Sequence, residues 1–452
     1  MRFLAVILFA FVSVQAVASA NSDRFEKLQS VLKHFGIAQE PSYAQLTATF
    51  DGAQTNEHFT ELLQHIDPAK TLARYASWDS KKLVLFQDRD SKTKVDFSLA
   101  FKPDGVPKDP SQNIYQLQRI AKTAPRSAPL TGLRVALDPG HMGGRKWDKR
   151  TGKYLLIDGK HHLSEGVLTL HTCLLLAKEL EALGATVFLT RTTLGPVEDK
   201  IDPDRFDLSP HVKQEIRASS DLGWFDALLE KFTMGQRLFR AFDQHPEIRK
   251  IRGKNRYAHF NDRVDLAARA VKINSFKPHL TLIIHFDFVG ERTKTQRNTN
   301  LVRAYIPGNI LPHELATREL RAKLVQTLFD YHRWEESRHL SRKLVQNLAE
   351  IAGIKKKTSQ TDHKAKKVED GIYARNLALT RLIQEGALSY LEVLHYNHES
   401  EFHRLYAQNR RSEHRGIKFD HSSRLHDIVA GLKQGVLDYV GTVEQWPLAR
   451  LQ

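Results

Sequence analysis

From Leu133 onward the chain alternates short apolar runs with stretches of helical period, and this alternation is the strongest constraint on its fold. Leu133–Leu137 reads as an apolar strand. Residues Ser164–Leu183 read as a helix with Val167, Leu170, Leu174, Ala177 and Leu180 at helical spacing, and Ala185–Thr190 as a second strand. Ser164 suits the N-cap of that helix and Gly184 its C-terminal cap. The series continues with a helix near Asp262–Ile273, strands at Leu280–Ile284, Leu301–Ile306 and Ala387–Val393, and helices at Ser337–Ala352 and Leu425–Val440. Strands separated by helices tend to pair in parallel, since the helix supplies the crossover. The expected fold is α/β: a parallel-rich mixed sheet with helices on both faces, plus a smaller N-terminal α+β region.

That N-terminal region spans residues 21–128. It has helical patterning at Phe25–Phe35 and a hairpin of Leu83–Gln87 with Val95–Phe101 about the polar turn Asp88–Lys92. The Pro-containing stretch Ala124–Pro129 reads as a linker, which places a domain boundary near residue 129 and a larger domain at 129–445 with insertions near 193–260 and 289–370. The first insertion carries Trp224, Phe225, Leu228, Phe232, Leu238 and Phe242, a pattern that fits a packed helical hairpin or a lid over a site. Lys355–Lys357 with Lys364, Lys366 and Lys367 reads as a solvated loop.

Residues 1–20 have the layout of a secretory signal: Arg2, an apolar run from Phe3 to Val12, and a small-residue end at Ala18-Ser19-Ala20. The run is shorter than the roughly 20 residues of a membrane span. The expectation is a mature chain without a transmembrane segment, periplasmic or associated with the cell wall. Cys173 is the only cysteine, so no intramolecular disulfide forms, and its leucine neighbours make it a buried thiol. A formal charge of +16 favours polyanionic partners. For an exported chain these are wall polymers and membrane head groups, not nucleic acid.

Three residues stand where one sheet edge would gather them: His141 just after the first strand, Glu165 at the start of the first helix, and His285 at the end of the third strand. In a parallel sheet these positions share an edge. Two imidazoles and a carboxylate form a common ligand set for catalytic zinc. A fourth residue, Glu392, lies inside the apolar strand Ala387–Val393, where a carboxylate needs either a cationic partner or a task such as proton transfer. Competing ligands exist in His161, His162, His395, His398 and His403. His395, His398 and Glu399 would cluster if Tyr396–Phe402 were helical. Asp287 is placed either to join the metal shell or to orient His285.

These blocks resemble the zinc-dependent N-acetylmuramoyl-L-alanine amidases of the class that includes the bacterial cell-division amidases. Val135–His141 with Gly143-Gly144 is similar to the block bearing the first zinc ligand. Glu165 and the strand ending in Thr190-Arg191 are similar to the second block, and Asn261–Val264 through His285 to the third. Glu392 with Asn397 resembles the motif of the catalytic glutamate. The likeness covers roughly residues 130–442. It departs from the pattern at Phe286 and Asp287, where the family has a small residue and Asn, and at Leu394 and His395, where it has Gly-Phe.

The resemblance implies a Zn2+ site of His141, Glu165 and His285, with Glu392 as the catalytic base. It also implies peptidoglycan as substrate, cleaved between N-acetylmuramic acid and L-alanine, with an activator protein as a further partner. Two other readings stand beside it: a zinc peptidase acting on the stem peptides, and a non-catalytic wall-binding protein that keeps the fold.

Overall fold

The computed structural model describes residues 43–87, 90–102, 112–197, 260–311, 315, 318–360 and 364–443. Two compact units divide the chain. Pro41–Val197 with Arg269–Gln452 form one. Met1–Glu40 with Glu198–Ala268 form the other, described only over residues 260–268. The signal sequence, the Phe25–Phe35 helix and the Trp224–Phe242 stretch lie outside the described residues.

The larger unit is built on an eight-stranded mixed sheet. Its main strands are β4 (Arg134–Pro139), β7 (Thr186–Leu189), β8 (Leu280–Asp287), β9 (Leu301–Ile306), β12 (Ile372–Ala374) and β13 (Ala387–His395), with β11 (Lys366–Glu369) at one edge. The order is β11-β12-β9-β13-β8-β4-β7, and the two-residue β10 (Lys355–Lys356) pairs with β9. β13, β8, β4 and β7 run parallel to one another, while β9 lies antiparallel to β13. Interior strands are covered on both faces, which is why Val135, Ala136 and Leu137 of β4 and Leu280 to Phe286 of β8 are all buried.

Helices α5 (Glu165–Ala182), α8 (Tyr331–Ile351) and α11 (Arg424–Val443) flank the sheet, and their leucine faces join its central core. Ser164 caps α5 by accepting from the Val167 amide at 3.4 Å, and Gly184 sits past its end at φ +92°. Cys173 is buried in this core. Helix α6 (Leu266–Phe276) precedes β8. Among the described residues, no helix is long and apolar enough to cross a membrane.

The expected hairpin is present as β2 (Lys82–Phe86) and β3 (Val95–Ala100), extended by β1 (Ala76–Trp78) into a three-stranded antiparallel sheet. With α2 (Asn56–Ile66) it encloses a second core, in which Phe59, Leu62 and Leu85 meet Ile306, Val325, Phe329 and Trp334 of the later chain. Helix α3 (Gln112–Thr123) instead buries Ile114, Leu117 and Ile120 in the central core beside Leu130. Residues on both sides of position 129 therefore share one compact unit. The lysine run departs from the expected loop: Lys355–Lys356 pair with β9, and Lys366–Glu369 pair with β12. Their backbones complete the sheet while their side chains reach solvent.

Candidate metal centre

Parallel pairing of β4 and β8 brings the ends of both strands to one edge. Pro139 pairs with Ile284, so His141 and His285 emerge together. Glu165, the first residue of α5, arrives from the side. The three ligand atoms form a nearly equilateral triangle: His141 Nε2 is 3.0 Å from Glu165 Oε1 and 3.1 Å from His285 Nδ1, which is 3.2 Å from Glu165 Oε1. Among the described residues they are the one group of three or more His, Cys, Asp or Glu side chains placed to hold a metal ion.

Tetrahedral zinc, with bonds of about 2.0–2.2 Å, spaces its ligands roughly 3.3–3.5 Å apart, so this triangle needs to open by only a few tenths of an ångström. The protonation states also fit. Burial lowers the His141 pKa to about 3, leaving a neutral imidazole. Burial would raise the Glu165 carboxyl, but the two histidines outweigh it and hold the group ionised. Lone pairs are thus available to a cation.

Several close approaches fix the three ligands. His141 has φ +59°, a left-handed conformation that costs a residue with a side chain about 1 kcal/mol or more. Arg269 holds it there by donating to the His141 carbonyl at 2.9 Å, and also donates to Pro139 O at 2.6 Å. Arg191, at the end of the strand that closes in Thr-Arg, donates to the carbonyls of Gly140 (3.0 Å) and Gly166 (2.8 Å), tying the His141 loop to the first turn of α5. Gly143 and Gly166 allow this approach, since a Cβ on either would collide with the other's backbone. The Tyr390 ring stacks on His285 at 4.5 Å, and the Phe286 amide donates to Glu165 Oε1 at 3.2 Å.

Glu392 is the direct register partner of His285 on the neighbouring strand. Arg303, opposite it on β9, donates to Glu392 Oε2, and Tyr305 Oη lies 3.4 Å from the same oxygen. The expected cationic partner for a carboxylate in an apolar strand is present in Arg303, and Glu392 also stands beside the ligand cluster. Burial raises the Glu392 pKa, as does the negative charge of Asp287, while Arg303 and His285 oppose the rise.

The competing ligands go elsewhere. Asp287 turns to Arg303 and His395 rather than to the centre, and His395 Nδ1 lies 3.1 Å from Thr299 O. His398 pairs with Arg297 O and Glu399 with the Arg297 side chain, so His395, His398 and Glu399 do not cluster. The helix in that segment, α10 (Glu399–Tyr406), begins only at Glu399, with His398 at its N-cap. His162 lies 3.3 Å from Asp148, and His161 packs edge-on to Tyr406. Asn397 braces the loop after β8, donating to Val289 O at 2.7 Å. Sequence reasoning missed Arg269 and Arg303; the available signal was an arginine at an otherwise apolar position of a helix or strand.

No family model matches the chain, and none of the curated proteins does. Solved structures give likenesses. The N-acetylmuramyl-L-alanine amidase Ami1 from Mycobacterium smegmatis superposes with a TM-score of 0.37 at 15% identity, covering 69% of this chain and 99% of that one. The CwlD amidase from Clostridioides difficile, in complex with the GerS lipoprotein, gives 0.36 at 14%, covering 69% and 100%. The catalytic domain of the amidase CwlV from Paenibacillus polymyxa gives 0.34 at 12%, covering 68% and 97%. At such values a likeness assigns no activity, and the functional reading rests on the centre itself.

Proposed function

We propose that the chain is an exported zinc amidase that hydrolyses the amide between N-acetylmuramic acid and L-alanine in peptidoglycan. The observation that carries the hydrolase reading is the triangle of His141, Glu165 and His285 with Glu392 beside it. The residue-by-residue resemblance of the four sequence blocks carries the choice of bond. Zinc, when bound, supplies Lewis acidity toward an amide carbonyl and the attacking water. His141, Glu165 and His285 hold it, with Tyr390 and the Phe286 amide fixing their orientation. Glu392 accepts the proton of the attacking water and returns it to the departing amine nitrogen, so water adds across the C–N bond without a covalent enzyme intermediate. Arg303 and Tyr305 keep the Glu392 carboxyl aimed during both transfers.

The test is digestion of purified peptidoglycan sacculi by the zinc-loaded protein beside a Glu392→Gln variant, with products read by mass. Free stem peptides and peptide-free glycan from the wild type, with at least a 100-fold loss in the variant, support the amidase. Cleavage within the stems indicates a peptidase, and no cleavage by either indicates a wall-binding protein.

A further inference from the structure

Beside the first turns of α5 the fold leaves a cleft of about 160 Å³, room for roughly five water molecules. It adjoins the metal centre: Ser164, in its wall, immediately precedes the ligand Glu165, and the Gly144 amide, also in its wall, donates to Ser164 Oγ at 3.4 Å.

Asp148, from the short helix α4 (Arg145–Thr151), lines this cleft and is 1% exposed. Its Oδ1 accepts from the Ser164 hydroxyl at 2.9 Å. Its Oδ2 accepts no hydrogen bond, although His162 Nε2 stands 3.3 Å away. Burial raises the pKa of this carboxyl to about 6. Among the described residues, two other acids keep a buried oxygen without a hydrogen bond, Asp138 and Glu335, and each is paired with an arginine, Arg269 and Arg338. Asp148 has no such counter-ion: burial, and then Arg145 and Lys149, lower the His162 pKa, so that imidazole is neutral. A buried carboxylate oxygen in this state is costly, and a donor placed in the cleft relieves it.

The surroundings decide what that donor is. Asp148 calls for a cation, and the neutral imidazoles of His162 and His171, which also line the cleft, are able to accept hydrogen bonds from it. Arg145 lines the cleft as well, with its guanidinium exposed. A bare ammonium would be repelled by that guanidinium, whereas an ammonium carrying its own carboxylate offers each charge a partner. An amino-acid head group, with ammonium and carboxylate on one carbon, has this pair of charges and is small enough for the volume.

We propose that the cleft binds an amino-acid head group at the end of a side chain in the peptidoglycan stem, its ammonium on Asp148 and its carboxylate on Arg145. The choice of the stem rests on the reading of the centre as acting on the wall. Diaminopimelate presents such a head group; lysine, whose side chain ends in an ammonium alone, does not.

The test is calorimetric binding of synthetic stem tripeptides to the zinc-loaded full chain. The tripeptide ending in meso-diaminopimelate should bind about ten-fold more tightly than the one ending in lysine. Arg145→Ala, at an exposed position, and Asp148→Asn should each remove that difference while zinc content stays full. If Asp148→Asn fails to fold, Arg145→Ala decides alone. Equal affinities in the wild type overturn the proposal, as does a preference that survives Arg145→Ala, or a loss of both peptides alike, which marks a merely structural role. If the chain prefers the diaminopimelate peptide yet releases no stem peptides from sacculi, the cleft assignment stands and the amidase reading falls.

Discussion

Asp287 and His395 lie 3.3 Å apart, and they are two of the positions at which the sequence departs from the amidase motif it otherwise resembles. The departures are partners in one network. Asp287 also receives Arg303 Nη2 at 2.5 Å, and the same guanidinium donates through Nε to Glu392. A carboxylate at 287 would by itself oppose ionisation of Glu392; Arg303, shared between the two, offsets that effect.

Removing Arg303 should therefore be costly out of proportion to its size. Arg303→Leu leaves two carboxylates facing each other at a largely buried site and should destabilise the fold by about 3–5 kcal/mol. Asp287→Asn in the same chain should recover a substantial part of that loss, giving a coupling of more than ~1 kcal/mol in a double-mutant cycle measured by denaturant unfolding. Strictly additive effects would show that Arg303 serves the two acids independently.

Gly140 lies under the His285 imidazole so closely that a Cβ would overlap all three of the nearest ring atoms. Gly140→Ala should push the ring off its stack with Tyr390 and open the ligand triangle. A drop of ten-fold or more in zinc affinity is expected, read by competition with a chromophoric chelator. The fold should survive, since the displaced ring sits at the sheet edge. Unchanged zinc affinity would show that the ring has room to shift without leaving its ligand position.

Arg269 and Asp138 are both fully buried, 3.1 Å apart beneath the His141 loop. Arg269→Leu strands the Asp138 charge and frees the His141 carbonyl. It should cost about 3–5 kcal/mol of stability, and Asp138→Asn should recover part of it. The readout is the denaturation midpoint at constant slope.

The central architecture was legible in the sequence because its strands are continuous apolar runs bounded by caps and turns. Leu280–Ile284 and Ala387–Val393 could hardly pack anywhere except inside a sheet, and Ser164 with Gly184 marks both ends of one helix. His141, Glu165 and His285 were legible for the same reason: each follows or begins such an element, and parallel topology gathers those ends. The edge strands were not, because Lys355–Lys356 and Lys366–Glu369 are polar and pair by backbone alone, leaving no side-chain period to read. The packing of residues 43–123 onto the rest was also hidden, since it depends on contacts such as Phe59 with Phe329, hundreds of positions apart. Arg303 was invisible as a network member, because its meaning depends on the antiparallel register that sets it opposite Glu392.

Acid should unfold this protein more steeply than its carboxylates alone would dictate. His171, His279, His332 and His339 each have a pKa lowered to about 4, first through burial and then through nearby cations or histidines. A histidine depressed in the folded state contributes stability above its unfolded pKa of about 6.5, and that contribution is lost as pH falls toward the folded value. Each such group adds at most about 1.4 kcal/mol per pH unit within that window, and the partly exposed His171 and His339 add less.

His279 shows the cause most clearly. Its Nδ1 accepts the Arg134 amide at 3.0 Å, which leaves Nε2 to donate to Gln116 Oε1 at 2.7 Å. Both partners select the neutral tautomer, and protonating Nδ1 would break the first bond inside the core. His279→Gln keeps an acceptor and a donor but cannot titrate. Urea unfolding of the wild type should show a loss of several kcal/mol between pH 7 and pH 5, and the variant should lose about 1–2 kcal/mol less over the same interval. If the two lose stability in parallel, His279 is free to take its proton without leaving Arg134, and the acid sensitivity belongs to other groups.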